Sequence, residues 1–375
     1  MNVRKLGRCR ICGYESVTVS DRLGVCVRCL REKPEVALKI AEKAHAEARK
    51  FFSLPPKPPR DPDGISCGMC ANNCRIGTGE KGFCGLVINE HGRLIRLGGT
   101  VENGILEWYY DPLPTNCVAW WFCPGCTGAG YPKYAYKPSA ESGFSNLAVF
   151  YGACSFDCLF CQNWHYRNLT VRLNPKVTAE ELAGKVNEHV SCICFFGGDP
   201  SVQMPHALKT SELSLEEAER HRRILRICWE TNGNMRREFM LKAAELSFHS
   251  GGVVKFDLKA WNENVHRALC GVSNKAALRN FSMIGERYFE KRGEVPILTA
   301  STLLIPDYVD AEEVDKIAEF ISSINPKIPY TLLAFYPHYR LDDLPTTSWK
   351  QALECKKAAE KHLEKVRIGN VHLLY

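Results

Sequence analysis

Cysteine constrains this chain more than any other residue type, because its 19 cysteines fall largely into pairs and triplets spaced by two or three residues. An intracellular protein seldom keeps disulfides, and thiols this close along the chain can turn toward one ion, so the pattern reads as metal ligation. The opening MNVRKLGRCRICGY lacks the apolar core of a signal peptide, and no run approaches the roughly 18 apolar residues of a membrane span. A cytoplasmic protein without a membrane partner is expected. The formal net charge of +7 leaves room for a polyanion, but nucleic acid is not strongly indicated, since the dense basic stripe of a dedicated binder is missing.

The clusters divide the first 140 residues. Residues 1–32 carry Cys9-x2-Cys12 and Cys26-x2-Cys29 with 13 residues between the knuckles, a spacing that lets a short hairpin close a four-thiolate site. A zinc ribbon is expected there, with the metal supplying folding energy that so short a segment cannot draw from an apolar core. Residues 33–60 read as a helix, PEVALKIAEKAHAEARKFF, followed by the stiff proline-rich linker SLPPKPPRDPDG. Residues 61–140 form a second cysteine-rich module in which Cys67, Cys70, Cys74 and Cys84, with glycines between them, are four candidate ligands. Zinc and a second iron–sulfur cluster both suit that set. Cys117, Cys123 and Cys126 in NCVAWWFCPGC either complete a metal site or pack as buried thiols.

From Asn146 onward short apolar strands alternate with amphipathic helices, which implies a parallel sheet closed in part into a barrel. The fold expected is α/β, a partial (β/α)6 TIM-type barrel over residues 141–345, followed by a helix and strand over 346–375. TAEELAGKVNEHV reads as a helix with Thr178 and Glu181 forming a capping box. Cys192, Cys194 and Cys228 lie in apolar strands and read as small buried thiols.

The decisive segment is FYGACSFDCLFCQNW, in which Cys154, Cys158 and Cys161 are spaced so that one loop can ligate three irons of a [4Fe–4S] cube. The fourth iron then stays open for the amino and carboxylate groups of S-adenosylmethionine (SAM), and an electron from the cluster cleaves the S–C5′ bond to a 5′-deoxyadenosyl radical. A zinc site or a ferredoxin-like cluster would use the same spacing, so context decides. The loop follows the first strand of the β/α array, where barrel enzymes place their chemistry. Other polar groups also fall at strand ends: Gly197-Gly198-Asp199-Pro200, with an acid for an ammonium; Glu230-Thr231-Asn232-Gly233, with polar groups for a ribose or carboxylate; and Asp257-Leu258-Lys259. Each has a plainer reading as a turn, a cap or an ion pair. Three in the right order favour an enzyme.

These segments resemble the pyruvate formate-lyase activating enzyme branch of the radical SAM superfamily over about residues 146–345. GGDP stands for the family's GGEP and ETNG for its DTNG, FDLKAWNENVHRALCGVSNKAAL is similar to its DLK segment, and Phe160 matches the aromatic before the last cysteine. The resemblance implies that Gly197, Gly198 and Asp199 bind the methionine amine. It also implies that Glu230, Thr231 and Asp257 hold a monovalent cation beside the SAM carboxylate, that Lys259 lies near the cofactor, and that Tyr336 or His338 covers adenine. CGMCANNCRIGTGEKGFCG, HGRL, DPLP and FYPHYRLDDLPTT resemble the subfamily often called AmmeMemoRadiSam. A low-potential donor (flavodoxin or ferredoxin) and a protein substrate are implied with it. Radical SAM modification of tRNA or a small metabolite is the alternative activity. A non-catalytic metal-binding interaction protein is the alternative of another class.

Overall fold

The computed structural model describes residues 6–293 and 295–375, so residues 1–5 of the expected ribbon lie outside the described residues. One nine-stranded sheet organises the chain. Its strands are β1 (Gly104–Pro112), β2 (Ser145–Tyr151), β3 (Lys176–Val177), β4 (Val190–Gly197), β5 (Arg226–Thr231), β6 (Val254–Asp257), β7 (Leu298–Leu304), β8 (Tyr330–Ala334) and β9 (Val366–Gly369). Their spatial order is β9-β8-β7-β6-β5-β4-β2-β1-β3.

Seven strands, β2 and β4 through β9, run parallel, with a register shift between β2 and β4 at Val190–Cys192. Parallel neighbours need crossovers, and the helices Met204–Arg220, Arg237–Ser250, Lys275–Tyr288, Ala311–Ile324 and Trp349–Ala359 supply most of them. The parallel array is thus one strand longer than the (β/α)6 expectation, because β9, from the segment set apart as a terminal helix and strand, pairs with β8.

At the other edge β1 pairs antiparallel with β2, Leu106 opposite Tyr151 and Pro112 opposite Ser145, and β3 pairs antiparallel with β1. The cysteine-rich stretch around β1 therefore shares the main sheet. The sheet remains open, ending at β9 and β3.

Two local expectations change. Thr178 caps its helix with the full capping box to Glu181, but the helix covers only Ala179–Ala183 and stops at Gly184, short of the expected thirteen-residue run. Ala and Glu carry the first turn, and the Gly, Asn and β-branched residues that follow do not extend it.

The Pro34–Lys50 helix packs along Glu263–Cys270. Arg49 at its end donates to the carbonyls of Pro55, at 2.5 Å, and of Phe83. Arg75 N donates to Pro59 O at 3.0 Å and Asp61 N to Arg75 O at 3.2 Å, so the proline-rich segment is tied to the cysteine-rich stretch that follows it.

The ribbon is docked as well. The Tyr308 hydroxyl donates to Val25 O at 2.7 Å, Ser20 Oγ donates to Asp343 at 2.9 Å, and Arg31 pairs with Asp310 and Glu313 at 3.0 Å each. Among the described residues no helix is long and apolar enough to cross a membrane.

Candidate active site

The site begins where β2 ends. Gly198 N donates to Tyr151 O at 2.7 Å and Asp199 N donates to Ala153 O at 3.0 Å, so the turn after β4 lies against the loop after β2. This approach requires glycine. A Cβ on Gly198 would stand 2.0 Å from Ala153 O, and Gly197 has φ +104°, a conformation open mainly to glycine. The GGDP turn and the three-cysteine loop are thereby held side by side.

A cavity of about 160 Å³ opens between them. Cys154, Cys158, Phe160 and Cys161 form one wall, and Gly197, Gly198, Asp199, Glu230, Asn232, Asp257 and Lys259 form others. Leu303 and Leu333, from β7 and β8, also face it, which means the sheet curls enough to bring strands of both halves around one space. N–H groups point at Cys154 Sγ from Phe156 N at 3.3 Å and Asn232 Nδ2 at 3.4 Å. Donors of this kind stabilise a thiolate that ligates an iron–sulfur cluster. Three thiols on one loop, sulfur-directed donors and space on the open side fit a three-cysteine cluster with a small-molecule ligand.

The polar residues separate into distinct contacts. Asp199 accepts from Asn232 N at 2.6 Å, Ser201 N at 2.8 Å and Thr231 Oγ1 at 3.2 Å. Burial raises its pKa to about 6 against the lowering effect of those bonds. Glu230 pairs with Lys255 at 3.0 Å. Asp257 takes Lys259 at 2.7 Å and Ser301 Oγ at 2.6 Å. Of the three expected cation ligands, Glu230 and Asp257 line this same cavity, and Thr231 bonds to Asp199 at its wall. Lys259 Nζ also stands 5.9 Å from the centre of the Phe160 ring. Tyr336 and His338 do not line the cavity, and Tyr336 is half exposed. Their segment touches the loop from behind, where Arg340 N and Leu341 N donate to Leu159 O at 2.9 and 3.1 Å.

Sequence reasoning missed what anchors the loop. Asp157, between the first two cysteines, is fully buried and meets His45 at 2.8 Å, Arg49 at 3.2 Å and Arg167 at 2.7 Å. Burial alone would raise its pKa, but Arg49, Arg167 and His45 override that and hold the carboxyl well below the usual carboxylate range. Two of the three partners come from the Pro34–Lys50 helix, far away in sequence. The available signal was an acid placed between ligands and a histidine inside an Ala- and Lys-rich helix.

The other cysteine sets differ from one another. The Sγ atoms of Cys9, Cys12, Cys26 and Cys29 all lie within 4.8 Å of one another, with Cys9–Cys29 and Cys12–Cys26 both at 3.8 Å. A tetrahedron of Zn–S bonds of about 2.3 Å has edges of about 3.8 Å, so the set fits one tetrahedral ion. Among the described residues no other three Cys, His, Asp or Glu side chains converge as closely. Cys67, Cys70, Cys74 and Cys84 sit beside the three-cysteine loop: Asn72 Nδ2 donates to Ser155 O at 2.6 Å, and Cys70 packs in a cluster with Ala153, Cys84, Cys154 and Cys161.

Residues 148–321 match the radical SAM superfamily. A putative glycyl-radical enzyme activating enzyme of Methanocaldococcus jannaschii is 28% identical over 218 residues, 57% of this chain and 76% of that protein. An uncharacterized protein of the same organism is 25% identical over 319 residues, 83% of each chain. The isethionate sulfite-lyase activating enzyme of Desulfovibrio desulfuricans is 35% identical over 147 residues, 39% of this chain and 41% of that one.

Proposed function

The chain is an enzyme of the radical SAM superfamily, similar to glycyl-radical enzyme activating enzymes, and on that premise we propose that it cleaves SAM reductively at Cys154, Cys158 and Cys161 to act on a protein substrate. Those three cysteines would hold a [4Fe–4S] cluster, which when bound would supply the electron for reductive cleavage of SAM and so the means to take a hydrogen atom from the substrate. A low-potential donor, flavodoxin or ferredoxin, provides that electron.

The chain's own residues bind and orient. Cys154, Cys158 and Cys161 ligate, and Asn232 and the Phe156 amide direct hydrogen bonds at Cys154. Gly197 and Gly198 expose main chain to the methionine end, and Asp199, held in place by Thr231 and Asn232, faces its ammonium. Lys259 and Asp257 remain paired at the cavity wall, where the ammonium offsets the charge of thiolate ligands. Cys9, Cys12, Cys26 and Cys29 hold zinc, and Cys67, Cys70, Cys74 and Cys84 hold zinc or a second iron–sulfur cluster. The likeness to activating enzymes supports a protein as substrate.

The observation that carries this reading is the single cavity shared by the three thiols and the GGDP turn. Anaerobically reconstituted protein given SAM and dithionite is expected to form 5′-deoxyadenosine and methionine in equal amounts, and Cys154→Ala protein to form neither. Fully iron-loaded wild type that forms no 5′-deoxyadenosine would overturn the reading.

A further inference from the structure

A second cavity, of about 120 Å³, lies inside the curled sheet next to the first, and Phe196 and Glu230 line both. Barrel interiors are ordinarily filled by branched aliphatic side chains stacked in layers. Here alternate residues of the strands place Asn146, Cys192, Cys194, Arg226, Cys228 and Lys255 on this space instead. The connection between β1 and β2 closes its far side and brings Cys117, Cys123 and Cys126 to the same wall. Six thiols from three separate stretches of chain therefore face one void.

A lone buried cysteine is usually a small apolar side chain, and that reading accounts for one or two of these. It does not account for six around an unfilled space, nor for the cations among them. Lys255, 4% exposed, places Nζ 3.0 Å from Cys194 Sγ and 3.7 Å from Cys117 Sγ. Arg226 enters beside them, oriented by Glu141 at 2.6 Å. Positive groups set against sulfur lower the cost of thiolates in a dry interior. The Cys123-Pro-Gly-Cys126 turn has the two-residue spacing with which one knuckle presents two thiolates, and both thiols face the void. The six do not converge within 4.8 Å in threes, as the ribbon thiols do. Ligands of a multi-iron cluster stand farther apart than those of one tetrahedral ion.

We propose that this chamber binds a further [4Fe–4S] cluster, with four thiolates drawn from the Cys123–Cys126 turn and from Cys192, Cys194 and Cys228 of β4 and β5. The assignment goes beyond the SAM reading and stands without it. It also revises the view of the strand cysteines as passive filling.

The test uses the full-length chain, reconstituted anaerobically with iron and sulfide. Cys123→Ala/Cys126→Ala protein is expected to lose about four irons and four sulfides per chain relative to wild type. It keeps its zinc and the change that SAM produces in the electron paramagnetic resonance spectrum of the reduced protein. Cys192→Ala/Cys228→Ala, on different elements, is expected to give the same loss. A chain with Cys67, Cys70, Cys154, Cys158 and Cys161 all changed to alanine bypasses any folding defect of those pairs, and should retain about four irons. Unchanged iron in both pairs, an iron-free five-alanine chain, or zinc in the chamber overturns the proposal. Chamber iron retained in a protein that forms no 5′-deoxyadenosine would break the SAM reading alone.

Discussion

The ribbon and the three-cysteine loop both present thiols from a short stretch of chain, and they arrange them to opposite ends. In the ribbon four Sγ atoms close on one point, with opposite pairs 3.8 Å apart, and no place is left for a further ligand. In the loop three thiols take one wall of a cavity whose other walls are glycine, acid and lysine. A site with every position taken by protein is structural, and one with a position left open is where chemistry happens. Support differs accordingly. The ribbon's Leu23, Val25 and Leu30 are buried in the main core, so it leans on the body of the protein as well as on its four thiols. The loop has its geometry from packing and from Asp157, with three cationic or hydrogen-bonding partners around one buried carboxylate.

The sharpest way to break this contrast is to remove one thiol from each site. Cys158→Ala should reduce 5′-deoxyadenosine formation to background, while Cys12→Ala should leave it measurable and lower only the metal bound at the ribbon. Product chromatography and metal analysis read both. If Cys12→Ala also abolished product at full iron loading, the two sites would not be functionally distinct.

Next in size is the anchor. Asp157→Asn leaves Arg49 and Arg167 buried without their counter-charge, and should cost about 3–5 kcal/mol of stability. A denaturant titration of metal-free protein would show it, and an unshifted midpoint would mean that the loop is held by packing alone.

Acid should act on the loop side of the molecule. Burial lowers the pKa of His206 and of His266 from 6.5 to about 4. The native state therefore binds fewer protons than the unfolded chain between those values. Stability from this source is complete above pH 6.5 and is lost as pH falls from 6.5 toward 4, by up to about 3 kcal/mol for each ring. The ring of His266 lies edge-on to Phe156, with centroids 5.0 Å apart, and His206 accepts from the Tyr151 hydroxyl at 2.7 Å, so both support the loop. Unfolding midpoints followed from pH 7 to pH 4.5 should fall through this window, and a flat profile would remove the histidines from the account. The smallest effect is expected from Tyr151→Phe, which deletes that bond and should cost about 1 kcal/mol. Thermal melts would detect it.

Part of this was readable along the chain and part was not. The alternation after Asn146 marked a parallel sheet because strand and helix periods are local properties of sequence. Segment type did not reveal partners. β1 was hidden in a cysteine-rich region, and its antiparallel pairing with β2 depends on two segments more than 30 residues apart meeting edge to edge. How Glu230 and Thr231 divide their partners was likewise not readable along the chain. Neighbouring residues on a strand point to opposite faces, so Thr231 turns to Asp199 while Glu230 turns inward to Lys255.

The sequence by itself determined which cysteines share a turn, since ligands two or three residues apart are held together by the backbone whatever the rest of the chain does. It also determined the β/α order, which rests on local periodicity. Only the tertiary structure decided that Asp157 meets His45 and Arg49, and that thiols from β4, β5 and the β1–β2 connection surround one void. Those contacts join residues tens of positions apart, and they exist only because curling the sheet brings alternate side chains of distant strands onto a common inner face.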